Sequence, residues 1–398
     1  MSKYKVAVYA ICKDEEKFVD RWMNSMSEAD EIYVADTGSS DNTMRALRDR
    51  GAIVNKISVT PWRFDTARNI SLSFVPDDVD ICVSADLDEV FEPGWRELLE
   101  EVWTARTTRL KYIYTWSFND DGTPAVTFWQ EKTHARHGFK WVHPVHEVLE
   151  YSGDMPDYVV SDGRIHLNHY PDPKKSRGQY LPLLEMAVEE APDDDRNMHY
   201  LGREYMYYGK WDKCIATLKK HLSMPSAKWR DERCASMRFI ARAYQALGNT
   251  SEAQNWLYRA IAEAPHLREP YVEMAQLSYK LGDWISVIHM AEAALKITER
   301  PVSYINEASS WDSTIYDLGA IAYYNIGMFD RAKEFAGIAA AMSPDNERLK
   351  KNLELISKIA DTIAEKTQKI EEAHNAEDTQ NAAEEAQTAE ETQKTETV

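Results

Sequence analysis

Four segments of this 398-residue chain share one pattern: an apolar-periodic run, a glycine, and a second periodic run. They are Tyr200 to Ala216 about Gly209, Ala241 to Ala253 about Gly248, Leu277 to Ile288 about Gly282, and Ala322 to Ala332 about Gly327. Apolar residues three and four apart mark amphipathic helices. A glycine just past a helix end takes the left-handed conformation that closes it. The glycines stand 39, 34 and 45 residues apart. A two-helix unit cannot bury its apolar face alone, so such units must stack on one another. The unequal intervals place insertions near Pro225 and from Pro301 to Trp311. The second half is therefore all-α, and most of its Trp and Tyr side chains belong to its core.

The first half follows another rule. Lys5 to Cys12, Glu31 to Ala35, Ala52 to Ile57 and Asp80 to Val83 read as strands, separated by helical runs near Phe18 to Met26, Met44 to Asp49 and from Thr66 onward. Strands alternating with helices predict a mostly parallel sheet with right-handed crossovers. Three of the strands end in acidic or polar clusters: Asp14-Glu15, Asp36 to Asp41, and Asp86 to Glu89. In an open α/β sheet these ends share one edge, where ligands bind. Gly38 and Ser39 offer backbone N–H groups there. Ser40 or Asp41 is the expected cap of the following helix.

Val83-Ser84-Ala85-Asp86-Leu87-Asp88-Glu89 is the most chemically pointed stretch. Side chains two apart on an extended chain face the same way, so Asp86 and Asp88 aim at one point. Like charges so close call for a cation, and Mg²⁺ or Mn²⁺ suits an oxygen donor set that also accepts phosphate oxygens. The plainer alternative is an acidic loop before the helix at Trp95 and Leu98.

Arg109 to Phe118 alternates with period two. Asn119-Asp120-Asp121-Gly122 is a turn signal, so a hairpin returning through Gln130 is expected. Six of the eleven histidines then fall between 134 and 169. One of His166 and His169 is the expected third metal ligand, with the weight on His166, which directly follows Ile165. Glu147, with His146 beside it, is a candidate general base; the alternative is a Glu paired to a nearby Arg or Lys. Lys174, Lys175 and Arg177 form a basic run suited to holding an anion or to lying in solvent.

The formal net charge is −19, and between 361 and 398 there are 11 acidic and 3 basic residues. That balance argues against sequence-independent nucleic-acid binding, where phosphate neutralisation dominates. The four cysteines are scattered without a Cys-x-x-Cys, which predicts buried free thiols and a cytoplasmic setting. Val6 to Ile11 is too short for a secretory signal, and no transmembrane segment is expected.

Asp14-Glu15, then Val34-Ala35-Asp36-Thr37-Gly38-Ser39-Ser40-Asp41-Asn42-Thr43, then Ala67-Arg68-Asn69, then Asp86-Leu87-Asp88-Glu89 resembles, in order and spacing, the family 2 glycosyltransferases. The resemblance covers roughly residues 3 to 175. It implies a GT-A, Rossmann-like nucleotide-diphospho-sugar transferase domain with inversion at the anomeric carbon and a donor such as a UDP-sugar. It also implies that Asp14 or Glu15, Asp36 and Asp41 line the nucleoside pocket, with Gly38 and Ser39 beside them. Arg68 would approach the donor, and Asp86 and Asp88 would form the metal motif. Leu87 stands where Ala is common in the family. Trp141 to Glu147 is similar to a segment of transferases that carry tetratricopeptide repeats, whereas the family's Glu-Asp base motif is not evident. The helical half itself is similar to tetratricopeptide (TPR) repeats. The expected domains are a GT-A domain over 1–178, TPR-like repeats over 179–348, a capping helix over 349–370 anchored by Leu353, Ile356, Ile359 and Ile363, and a disordered acidic tail over 371–398. The reading is a metal-dependent transferase acting on a peptide or protein, a glycan or a modified nucleobase. Its repeats would dock the acceptor or mediate homodimerisation. The contrasting reading is a TPR interaction protein whose front domain binds a nucleotide sugar without turning it over.

Overall fold

The structure is a computed structural model that describes residues 3–119, 121–174 and 178–395. Asp120 of the hairpin turn, and Lys175 and Arg177 of the basic run, lie outside the described residues. The chain divides into two compact units: residues 1–270 with 299–308, and residues 271–298 with 309–398.

The first unit begins with β1 (Val6–Cys12), α1 (Glu16–Met26), β2 (Glu31–Asp36), α2 (Thr43–Asp49), β3 (Ile53–Lys56), α3 (Phe64–Ser73) and β4 (Ile81–Ser84). β5 (Glu89–Phe91), α4 (Trp95–Val102), β6 (Arg109–Phe118) and β7 (Pro124–Ala135) follow. β8 (Phe139–Val142), β9 (Val148–Tyr151) and β10 (Val159–His169) complete its strands. Eight strands make one mixed sheet in the order β3-β2-β1-β4-β7-β6-β10-β5, while β8 and β9 pair separately. β3, β2, β1 and β4 run parallel, as strand–helix alternation requires, and β7 turns antiparallel against both β4 and β6.

The parallel strands are apolar on both faces because both faces are covered. Val6, Val8, Ala10 and Cys12 pack with Trp22 and Met26 of α1, Leu47 of α2 and Leu99 of α4. Ala7 and Tyr9 face the other way, onto Leu72, Trp141 and Leu149. Tyr9 also anchors a buried chain. Trp141 Nε1 donates to Tyr9 Oη (2.8 Å), Tyr9 Oη lies 2.8 Å from His134 Nε2, and His134 Nδ1 lies 2.7 Å from the Ala135 carbonyl. Burial therefore holds His134 neutral, its pKa lowered to about 3.

The same unit continues into helices α5 (Tyr180–Glu190), α6 (Asp195–Tyr207), α7 (Trp211–Ser223), α8 (Arg230–Ala246) and α9 (Thr250–Glu263). α6 and α7, then α8 and α9, pack as helical hairpins, closed by Gly209 at φ +65° and Gly248 at φ +75°. A Cβ on Gly202 would collide with Leu218, so the absent side chain lets α6 and α7 approach closely. Such successive hairpins make this part of the unit an array of two-helix repeats. Segment 299–308, part of the expected insertion, packs in this unit. Tyr304 contacts Phe128, Tyr200 and Trp229, and Arg300 donates to the Ala125 carbonyl.

α10 (Glu269–Leu281) runs from the end of the first unit into the second. The second unit holds α11 (Trp284–Leu295), α12 (Thr314–Asn325), α13 (Phe329–Met342) and α14 (Glu347–Thr395). Gly282 and Gly327 close its turns at φ +71° and +80°. Leu349, Ile356 and Ala360 of α14 are buried, whereas Ile363, an expected anchor, is exposed. The backbone continues as helix to Thr395, in a segment rich in the strong helix formers Ala, Glu, Lys and Gln. The expected boundary at 178 is not where the compact units part, because α5 and α6 pack on the α/β portion. Arg63 pairs with Glu190, and His143 lies 3.1 Å from Asn197 Nδ2.

All four cysteines are buried free thiols. Among the described residues no helix is long and apolar enough to cross a membrane.

Candidate active site

β1, β2 and β4 are neighbours and parallel, so the chain leaves all three at one edge of the sheet. Cys12 pairs with Asp36, and Tyr9 with Ser84, which puts Asp36 and the Asp86–Glu89 turn at similar height. Adjacent strands lie about 4.8 Å apart, so the two acidic ends flank the tip of β1 at roughly 10 Å. The predicted convergence of acidic strand ends is present.

Their carboxylates have distinct tasks. Asp36 is fully buried, and its Oδ1 accepts the N–H groups of Gly38 and Ser39, each at 3.0 Å. Those two N–H groups, expected to face a ligand, are therefore engaged by their own loop. Asp14, at φ +53°, accepts from Ser40 N at 2.6 Å and Ser40 Oγ at 3.0 Å, contacts that hold its carboxyl below the usual range. Glu15 is buried, and its N–H donates to Thr43 Oγ1 at 2.8 Å. Burial works against the charge of Asp41, but Thr43 N and Oγ1, at 3.0 and 2.5 Å, outweigh it and lower its pKa. The cap position of α2 is Asn42 rather than Ser40 or Asp41. These groups lace the two loops after β1 and β2 into one rim, with Asp14 and Asp41 exposed on it.

The second acidic end is organised around Arg68 of α3, which is 4% exposed. Its Nη1 and Nη2 donate to Asp86 Oδ1 and Oδ2 at 2.8 and 3.0 Å, and its Nε donates to Glu147 Oε1 at 2.5 Å. Burial opposes the charge of Arg68, yet Asp86 and Glu147 outweigh it and raise its pKa well above the ordinary value. Lys132 of β7 reaches Glu89 at 3.1 Å and Asp86 at 3.6 Å. Burial pulls the Lys132 pKa down, but Glu89 and Asp86 bring it above the usual value. Burial in turn pushes Glu89 up. Leu87 is fully buried, as its inward position between the two aspartates predicts.

Asp88 faces His169. β10 pairs antiparallel with β5, His169 opposite Glu89, and this register brings the imidazole beside the acidic turn. His169 Nε2 is 3.5 Å from Asp88 Oδ2, and Nδ1 is 3.1 Å from the Trp116 carbonyl. A carbonyl only accepts, so Nδ1 carries the proton and Nε2 is left to face Asp88. Trp116 stacks on the ring at 4.5 Å. The sequence favours His166 as the ligand, and the structure places it otherwise. It lies on the opposite face of β10 from Ile165, Leu167 and His169, which are buried together.

His146 also differs from its expected role beside the reacting groups. The loop between β8 and β9 turns through positive φ at His143 (+78°) and His146 (+50°). This directs His146 onto Tyr200 of α6, ring centroids 4.1 Å apart, while Glu147 turns back to Arg68. Glu147 is thus the Arg-paired carboxylate of the alternative reading. Lys132 and Trp116 carry no mark in the sequence that singles them out. The pairing of β7 with β4 that brings Lys132 to Asp86 has no local signature. Lys174 is exposed, and its N–H donates to Asp172.

Counted together, Arg68 and Lys132 stand against Asp86, Asp88, Glu89 and Glu147, an excess of two negative charges when all four carboxylates are ionised and His169 is neutral. Asp86 is held by two cations. Asp88 with the Nε2 of His169 is the donor pair suited to a metal ion, its imidazole fixed from behind by a carbonyl as metal-binding histidines usually are.

No family model matches the chain, and no curated protein matches it. Among solved structures, the chain is similar to a chain of the APC/C hetero-tetramer Cut9-Hcn1, at 14% identity over 46% of this chain and 33% of that one, TM-score 0.37. YrrB, a TPR protein with an unusual peptide-binding site, matches at 13% identity over 45% of this chain and 84% of that one, TM-score 0.36. A thermophilic TPR protein of Thermus thermophilus matches at 19% identity over 45% and 91%, TM-score 0.33. The chain spans about a third of the first of these. At such TM-scores these likenesses carry no inference about function.

Proposed function

We propose that the first unit is a GT-A-type transferase that moves a sugar from a nucleotide-diphosphate donor with inversion, assisted by Mn²⁺ or Mg²⁺. The single observation that carries this reading is Asp88 facing the Nε2 of His169 across 3.5 Å, at the carboxyl edge of a parallel sheet, beside the Arg68-bound Asp86. The β3-β2-β1-β4 order, a nucleotide-binding arrangement, supports it, as does the two-charge excess that a divalent ion would cancel. When bound, the ion would lower the charge on the leaving diphosphate. Asp88 and His169 would hold it, and Asp86 would contribute through its outer sphere while fixing Arg68. Arg68, immobilised by two carboxylates, positions the acidic turn. Glu147, bonded to Arg68, acts as a positioning residue in this scheme rather than as the base. Trp116, stacked on His169 and 45% exposed, gives a flat apolar face for an acceptor beside the ion. The helical repeats would present that acceptor, a peptide, glycan or modified nucleobase, on their surface.

A thermal-shift screen of nucleotide-diphosphate sugars with and without Mn²⁺ tests this. A bound donor raises the melting temperature only when Mn²⁺ is present, and Asp88→Asn removes the response. No response to any donor in the wild-type chain defeats the proposal. Binding without hydrolysis or transfer returns the chain to the interaction-protein reading.

A further inference from the structure

We propose that His199, His221 and Glu232 form a second, buried site for one divalent transition-metal ion of zinc type, bracing the first helical repeats. The inference is independent of the transferase reading. The three side chains come from α6, α7 and α8 in turn and are 1%, 0% and 4% exposed. One donor atom from each lies within 4.8 Å of the others.

The hydroxyl of Ser236 organises the pair of imidazoles. Its Oγ is 2.8 Å from His199 Nδ1 and 3.0 Å from His221 Nδ1. A serine oxygen has two lone pairs, so it can accept both Nδ1–H groups. Both Nε2 atoms then carry lone pairs, and neither has a hydrogen-bond partner despite full burial. His221 Nε2 also faces Glu232 Oε1 at 3.3 Å. A lone pair opposite a carboxylate oxygen is repulsive unless something positive lies between them. A proton on His221 would relieve that contact but would leave His199 Nε2 buried without a partner. One metal ion satisfies all three atoms.

Two imidazoles and a carboxylate suit zinc better than magnesium or manganese. Metal–ligand bonds of about 2.0–2.2 Å require the three donors to draw inward by side-chain rotation. The groups behind the donors already hold them as those of a metal centre do. Tyr304, from the 299–308 segment, donates to Glu232 Oε2, leaving Oε1 for the ion. The nearby Arg238 cation is paired with Glu307. The ion would tie three helices together and, through Tyr304, the inserted segment as well.

The test uses the full chain carrying Asp88→Asn, which silences the other candidate site, after chelator treatment. Co²⁺ titration should develop a four-coordinate visible band that saturates at one equivalent and is bleached by one equivalent of Zn²⁺. Zn²⁺ should raise the melting temperature. Glu232→Gln, nearly isosteric, should weaken Co²⁺ binding at least tenfold, and Ser236→Ala about tenfold by releasing both imidazoles. Circular dichroism in EDTA establishes that each variant is folded. Absence of the band in the parent chain overturns the proposal, whatever the variants do. So does an undiminished band in a folded Glu232→Gln or His221→Gln chain.

Discussion

Replacing Arg68 with Met removes one buried cation from between two carboxylates and leaves its shape partly filled. In the folded chain Asp86 loses two hydrogen bonds, at 2.8 and 3.0 Å, and Glu147 loses one at 2.5 Å. Breaking a buried ion pair from one side costs about 3–5 kcal/mol, because the abandoned charge stays out of water. Lys132 still offsets part of the charge on Asp86 at 3.6 Å, which places the expected loss near the lower end of that range. For a domain of this size that is a fall of roughly 10 °C in melting temperature. Glu147→Gln alone keeps an acceptor for the Arg68 Nε–H and should cost about 1 kcal/mol. In the Arg68→Met background the same change removes an uncompensated charge and should stabilise. The double-mutant cycle therefore predicts a coupling of about 2 kcal/mol between these positions. Differential scanning calorimetry of the four chains measures it. A loss below about 1 kcal/mol for Arg68→Met, or a coupling under about 0.5 kcal/mol, would refute the view that one guanidinium organises the site.

Further predictions address other parts of the chain. His134 is neutral in the folded state and has an ordinary imidazole pKa of about 6.5 when unfolded. Because its folded pKa is depressed to about 3, its stability contribution is complete above pH 6.5 and declines as the pH falls toward 3. Between pH 6.5 and pH 5 that amounts to about 2 kcal/mol. His134→Gln, which retains an acceptor for Tyr9, should flatten the pH dependence of urea midpoints by about that much; an unchanged slope contradicts it. Gly248→Ala places a Cβ at φ +75° with open space around it, so its cost is backbone strain alone, about 1–2 kcal/mol by chemical denaturation. A chain ending at residue 370 keeps Leu349, Ile356 and Ala360, the buried residues of α14 among those described, and should melt within about 1 °C of the full chain.

How much of this was legible in the sequence depends on how local each determinant is. The four turn glycines announce themselves because a left-handed residue after an amphipathic run has one cheap solution, and all four are found at φ between +65° and +80°. The parallel strands were legible for a similar reason: burial on both faces makes them continuous apolar runs. The site is only half local. Asp86 and Asp88 are two residues apart, but the extended chain that would aim both at one point is instead a turn at Leu87 and Asp88, closed by Glu89 N–H donating to the Asp86 carbonyl at 2.9 Å, so Asp86 meets Arg68 and Asp88 meets His169. Alternation held the signal for the third group. Ile165, Leu167 and His169 share one parity and one buried face, whereas His166, favoured from the single residue Ile165, lies on the other. Glu147 could not be assigned in the same way. Its partner Arg68 lies 79 positions earlier, and what brings them together is a pair of positive-φ turns at histidines, a conformation with no glycine to advertise it. Lys132 reaches Asp86 only because β7 joins the sheet antiparallel beside β4 after a hairpin with β6. The buried His199–His221–Glu232 group is the extreme case. Each residue, read alone, is an ordinary polar position on an amphipathic helix, and only the close packing of three successive helices sets their donor atoms facing one another.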